Sequence, residues 1–95
     1  MIVCKVIGNA VSTIKDKRLA GQTMLLVGRL GTDPGVVLDQ FVALDAVGAG
    51  EGEIVGVIEG TPAQKAVGRE DLPIDAVVVA IFDFITIKAK EIYKK

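Results

Sequence analysis

The stretch from Phe41 to Gly60, FVALDAVGAGEGEIVGVIEG, constrains the fold more than any other part of the chain. Two apolar segments flank Gly48, Gly50 and Gly52, which alternate with Ala49 and Glu51, while Asp45, Glu51 and Glu53 stand at the edges of the break. This spacing reads as strand, glycine loop, strand, with a backbone free to take positive φ and to lie close to another surface. That surface is a phosphate, the chain's own sheet, or another subunit. Phosphate fits worst. Gly48 and Gly50 match the first two positions of G-x-G-x-x-G, but Glu53 stands at the third, both glutamates would repel a phosphate, and a strand pattern follows where a helix is needed.

Five strand patterns make up the chain around this loop. Ile2 to Ile14 reads as a long strand bent or bulged at Gly8, Thr23 to Leu30 as a second, and Val36 to Leu44 as the one that enters the loop. Glu53 to Glu59 leaves the loop, with Gly56 at its centre where a close-packed neighbour would sit. Ala76 to about Ile87 is the last, and it is apolar at both parities: Val77, Val79, Ile81 and Ile85 on one, Val78, Ala80, Phe82 and Phe84 on the other, with Asp83 as the exception. A strand apolar on both faces must be covered on both. The domain's own core supplies one cover, and a neighbouring subunit is the natural second.

The connections are equally legible. Lys15 to Gly21 is a charged surface loop, Gly31 to Gly35 a proline turn, and Arg69 to Pro73 a second charged loop. Gly60 to Gly68 carries a helix signal, with Thr61 as N-cap, Pro62 at the first helical position and Gly68 past the end. The tail from Lys88 to Lys95, KAKEIYKK, reads as a solvated short helix or a frayed end. At 95 residues the chain has room for one core. The expected architecture is all-β: a small five-stranded OB-like β-barrel over residues 1–87 with one short helix, followed by a charged tail over 88–95, with a curved β-sandwich as the runner-up.

Several function classes lack their parts. There is no histidine, one cysteine, Cys4, and one serine, Ser12, so Ser/His/Asp, Cys/His and His/Cys zinc arrangements cannot be built within the chain. Cys4 lies in an apolar run and reads as a buried thiol. Asp45, Glu51, Glu53 and Glu59 remain as carboxylates for acid/base work or a hard metal, but no electrophile-stabilising partner stands near them in sequence. No enzyme, catalytic residue, metal or cofactor is therefore expected. A net charge of −1 gives no overall pull toward nucleic acid or anionic lipid. The start of the chain lacks the basic flank of a secretion signal, and the longest apolar run, Ala76 to Phe82, is too short to span a bilayer. A soluble cytoplasmic protein with neither a nucleic-acid nor a membrane partner is the expectation.

The segments MIVCKVIGNAVSTIKD, LAGQTMLLV, FVALDAVGAGEGE, VIEGTPAQ and LPIDAVVVAIFDFI, in this order over Met1 to about Ile85, resemble the EutN/CcmL family of bacterial microcompartment vertex proteins, found in carboxysomes and metabolosomes. The resemblance implies an OB-like barrel that closes into a homo-pentameric ring, located in a microcompartment shell, where it caps a vertex of the polyhedron and meets hexameric shell proteins at its edges. It also places Gly48, Ala49, Gly50, Glu51 and Gly52, and Glu59, Gly60, Thr61, Pro62, Ala63 and Gln64, near subunit contacts and the ring axis. The chain departs from the family after Ala63, where Gln64 and Lys65 stand in place of the usual arginine, and a lysine lacks the planar fork of that residue. The alternative from another class is a small OB-type binding module for single-stranded nucleic acid or a small ligand. Such modules stack bases on exposed aromatics in a basic groove, whereas Phe41, Phe82 and Phe84 have no basic cluster around them in sequence, and Tyr93 has only the tail lysines.

Overall fold

The computed structural model describes residues 1–11, 19, 21–32, 35–66, 75–87 and 90–95. The strands are β1 (Ile2–Asn9), β2 (Met24–Leu30), β3 (Val37–Asp45), β4 (Ile54–Glu59), β5 (Ala76–Ile81), β6 (Phe84–Ile87) and β7 (Lys90–Lys94), and helix α1 (Thr61–Ala66) follows β4. The first five strands close a barrel in the order β1-β2-β3-β5-β4, as an OB-like domain requires. The first strand ends at Asn9 instead of continuing, since Ala10 and Val11 are outside any strand. The rest of the expected extension to Ile14, most of the Lys15–Gly21 loop, Asp33 and Pro34 of the turn, the stop at Gly68, the Arg69–Pro73 loop and the first tail residues lie outside the described residues.

Barrel closure follows from side-chain alternation. Cys4 and Val6 of β1, Leu25 and Val27 of β2, Ala43 of β3, Val55 and Val57 of β4, and Ala76 and Val78 of β5 form one buried cluster. These are every-second-residue positions, so the inward face of each strand is apolar and one core serves all five. β1 bends, with its register against β2 shifting between Val6 and Gly8, the bulge that Gly8 suggests. Gly56 is also explained. A Cβ there would fall 2.5 Å from the Met1 sulfur and 3.3 Å from the Phe82 ring, so these two side chains pack directly on the β4 backbone.

The start of β5 is covered on its outer face from within the chain, while Val79 to Ile81 stay partly buried. Leu44, Val77 and Ala63 form a second buried cluster, with Leu19, Met24, Ile58 and Val79 packed against it. Ala63 lies in α1, so the chain's own helix seals the start of β5 on its outer side. Helix α1 fits there because Pro62 sets the first turn and the alanine at position 63 lets its backbone come close to the strands.

Two expectations beyond β5 need correction. The last strand does not run unbroken to Ile87: pairing with β4 ends at Ile81, the chain bends at Asp83, and β6 starts a separate two-stranded sheet. The tail is strand rather than helix, with Lys90–Lys94 antiparallel to β6 and Ile85 directly across from Tyr93. A β-branched residue facing an aromatic across two strands is a favourable pair, and it outweighs the helix-compatible lysines around it.

Candidate functional site

The glycine loop is held by its own carboxylates. Asp45, the last residue of β3, points Oδ1 at three successive backbone amides and accepts from Val47 N at 3.1 Å, Gly48 N at 3.0 Å and Ala49 N at 3.3 Å. This curls the chain after β3 into a turn that needs a left-handed residue, and Gly48 takes φ 74°. A second turn follows at once. Glu53 N donates to Gly50 O at 3.1 Å, and Gly52, third of the four residues, has φ 87°, the arrangement of a type II turn. Gly52 N then donates to Val6 O at 2.8 Å and Val6 N to Glu53 O at 2.9 Å, tying the end of the loop to β1.

These bonds settle what the loop does not do. The amides of residues 47 to 50 and of Gly52 that a phosphate would require already donate to Asp45, Glu53 and Val6. The loop is a preformed ridge. Gly48, Gly50, Glu51 and Gly52 are exposed along it, and Ala49 tucks partly against the barrel core. Gly50 does not share the positive φ of its neighbours, so its smallness has no conformational cause within the chain.

Glu53 also links the ridge to the hairpin. Its Oε1 accepts from Gly50 N, and its Oε2 lies 2.7 Å from Lys95 Nζ. The lysine is the main reason that the Glu53 carboxyl sits below its ordinary range, with Gly50 N adding to the effect, and the same pair raises the Lys95 amine. Phe82 N donates to Ile54 O and Lys95 N to Asp83 O, so both ends of the hairpin are rooted beside the start of β4.

The other candidate segment leaves the far end of β4. Glu59 and Gly60 are exposed, Gly60 takes φ 74°, and Ala63 N donates to Gly60 O at 3.0 Å as α1 begins. Pro62 is exposed, Ala63 is buried, and Thr61 and Gln64 occupy the same short helix. Lys65 is exposed in its last turn. The loop and this segment are separated by the whole of β4, roughly 20 Å of extended chain, so one protomer does not bring them together.

Glu59 has a partner that sequence reasoning missed. Arg29 of β2 reaches Asp39 Oδ1 with Nε at 3.1 Å and Glu59 Oε1 with Nη2 at 3.5 Å. Arg29 continues the alternation of Leu25 and Val27, and Asp39 and Glu59 continue that of Ala43 and Val57, so all three stand where the inward rows run out at one barrel end. Extending the parity of each strand to its end would have found them. Cys4, across from Arg29, is fully buried. Burial pushes its thiol up to about 11, with Arg29 opposing the shift and Glu59 and Asp39 reinforcing it. Of the carboxylates considered for catalysis or metal binding, Asp45 is thus engaged with backbone, Glu53 with Lys95 and Glu59 with Arg29. Among the described residues, no group of three or more His, Cys, Asp or Glu is placed to hold a metal. Nor is any described helix long and apolar enough to cross a membrane.

The geometry is that of a closed OB-like barrel with a hydrogen-bonded surface loop and a separate two-stranded hairpin. The chain belongs to the EutN/CcmL family, since the family model described as ethanolamine utilisation protein EutN/carboxysome matches residues 1–83. It is 43% identical over 96 residues to the carboxysome shell vertex protein CcmL of Synechocystis sp., covering 100% of this chain and 95% of that one. The solved structure of CcmL from Nostoc sp. PCC 7120 superposes with a TM-score of 0.91 at 40% identity over 100% of both chains. The GrpN pentameric microcompartment shell protein from Rhodospirillum rubrum superposes with a TM-score of 0.79 at 40% identity, over 92% of this chain and 98% of that one.

Proposed function

We propose that this chain is a structural, non-enzymatic shell protein of a bacterial microcompartment, five copies of which close a ring that caps a vertex of the polyhedral shell. The observation that carries this reading is the match over the full chain to shell vertex proteins, together with the superposition on a pentameric relative. The work of such a protein is geometric: fivefold units concentrate curvature where flat sixfold facets meet. The edges of the ring then meet hexameric shell proteins. The same matches favour this role over a small OB-type binding module.

Within the ring, the ridge Gly48–Gly52 and the segment Glu59–Gln64 lie at subunit contacts and toward the axis. Support for the ridge comes from its rigidity and from the absence of a side chain at Gly50, where backbone geometry does not demand glycine. A rigid, bare backbone can approach its neighbours without losing conformational entropy on assembly.

Native mass spectrometry tests the ring: the expected mass is five times the 10.0 kDa chain. A persistent monomer at micromolar concentration overturns it. Gly50→Arg tests the ridge. Its new Cβ would meet only the Glu53 carboxylate, at 3.2 Å, so the barrel is expected to fold while the ring fails to close. Unchanged pentamers in that variant would place the ridge away from the contacts.

A further inference from the structure

The two carboxylates that hold the ridge are not equivalent. Glu53 Oε1 accepts from one ridge amide, that of Gly50, and the same side chain is shared with Lys95 through Oε2. Asp45 Oδ1 accepts from three, the amides of Val47, Gly48 and Ala49. Asp45 is also firmly rooted. Its own N donates to Thr23 O at 2.9 Å and Ala46 N donates to Val78 O at 3.2 Å, so its backbone is fixed at the place where β3 meets β2 on one side and β5 on the other. The side chain therefore carries the geometry of barrel closure into the loop.

The residues it holds have little else to fix them. Ala46, Val47, Gly48 and Gly50 are exposed, and Ala49 packs only partly against the core. Two glycines among the five residues 46–50 give this segment a wide choice of backbone states once the acceptor is taken away. Any partner that needs one of those states must then order the segment as it binds.

We propose that Asp45 is a positioning residue for ring closure: its carboxylate holds residues 47–49 in the shape that assembly uses before any contact is made, and it acts through the ridge instead of touching the neighbouring subunit. The inference rests on the reading that the ridge lies at subunit contacts, and names the group that prepares it. The affinity of a contact falls by the fraction of time its surface spends in the competent shape, so a ridge ordered about one tenth of the time weakens each contact about tenfold. A closed ring repeats that loss at every protomer. The barrel itself feels little of it, because the segment lies outside the core and its loosening opens no cavity.

The test compares Asp45→Ala, which removes the acceptor, with Asp45→Asn, which keeps an oxygen in nearly the same place without the charge. In Asp45→Ala, hydrogen exchange at the amides of residues 47 to 49 is expected to quicken about tenfold, while exchange at the buried strand residues Val27 and Val55 stays as in the wild type. Native mass spectrometry over a dilution series is expected to show pentamers of Asp45→Ala giving way to monomers at a protomer concentration about tenfold higher than for the wild type. Asp45→Asn is expected to restore most of both. Unchanged pentamers in Asp45→Ala overturn the proposal. So does a loss of pentamers accompanied by faster exchange at Val27 and Val55, which means a general weakening of the barrel, and so does an Asp45→Asn variant as defective as Asp45→Ala. Gly50→Arg keeps this failure apart from that of the reading beneath it: pentamers lost in Gly50→Arg but kept in Asp45→Ala remove only the role of Asp45, whereas pentamers kept in both take the ridge away from the contacts.

Discussion

In the barrel each strand pairs with two others, β3 meeting β5 only at Leu44 and Asp45, and Leu25, Val27, Val55 and Val57 are sealed inside; in the hairpin, among the described residues, β6 and β7 pair only with each other, and Phe84 faces solvent. The apolar content of the two regions is similar. Closure makes the difference. Five strands with one apolar face each can curl until the faces meet, while two strands have no face to close against and must find cover elsewhere. The molecule's extents of 45 × 24 × 20 Å show the result, a barrel with an arm. A region that stabilises itself and a region that awaits a partner should respond differently to the same perturbation.

The largest effect is expected where the barrel core is cut. Leu25→Ala removes a fully buried side chain and should cost about 3 kcal/mol of unfolding free energy in denaturant melts. Phe84→Ala, measured below assembly concentrations, should change the same free energy by less than about 0.5 kcal/mol, because an exposed side chain leaves no cavity. A comparable cost at Phe84 would mean that the hairpin belongs to the cooperative core, and the contrast would collapse.

A smaller loss is expected at the ridge joining the two regions. Gly52→Ala has open space for its Cβ but must hold φ 87°, so about 1 kcal/mol should be lost in the same melts. Gly50→Ala, without that constraint, should lose less. Equal losses at the two positions would show that the second turn does not depend on a left-handed residue.

The smallest effect is the pH response of the Glu53–Lys95 contact, which pins the arm to the ridge. Glu53 has a lowered pKa, so its contribution is fully present above the ordinary carboxylate range and is lost as pH falls through the depressed value. Lys95 has a raised pKa, so its contribution is present below the ordinary amine value and is lost as pH rises through the raised one. Both groups are open to solvent, so salt should weaken the contact. Chemical-shift titration of the Gly50 amide should report the acid limb, and Glu53→Gln should abolish it; an unchanged titration in that variant would show that another group holds the ridge.

Much of the fold was legible because it depends on local pattern. The strands from Met24 to Glu59 and the start of the last one at Ala76 agree with the expected positions to within a residue or so, as period-two alternation and glycine punctuation allow. Gly56 was read as a close-packing site, and Met1 and Phe82 occupy it. The ridge was legible as a loop, but its internal order was not. Asp45 was visible as an acid, whereas its hold on three amides depends on a side-chain direction that residue types do not carry. The tail was misread because lysine-rich octets suit several conformations, and the deciding contact, Tyr93 across from Ile85, comes from the preceding strand.

By itself the sequence determined the all-β class, the count of barrel strands, the short helix after β4 and the family, since alternation, capping residues and ordered motifs are all carried by residue type and spacing. It also put Glu53 at the third glycine position, and a strand pattern after it, where a phosphate loop needs a glycine and a helix. Only the tertiary structure decided that α1 covers the start of β5 on its outer face, that Arg29 gathers Asp39 and Glu59 at one barrel end, and that, among the described residues, β6 and β7 form a sheet separate from the barrel. These outcomes depend on the register of strands far apart in sequence, and register is set by three-dimensional closure, which no local window contains.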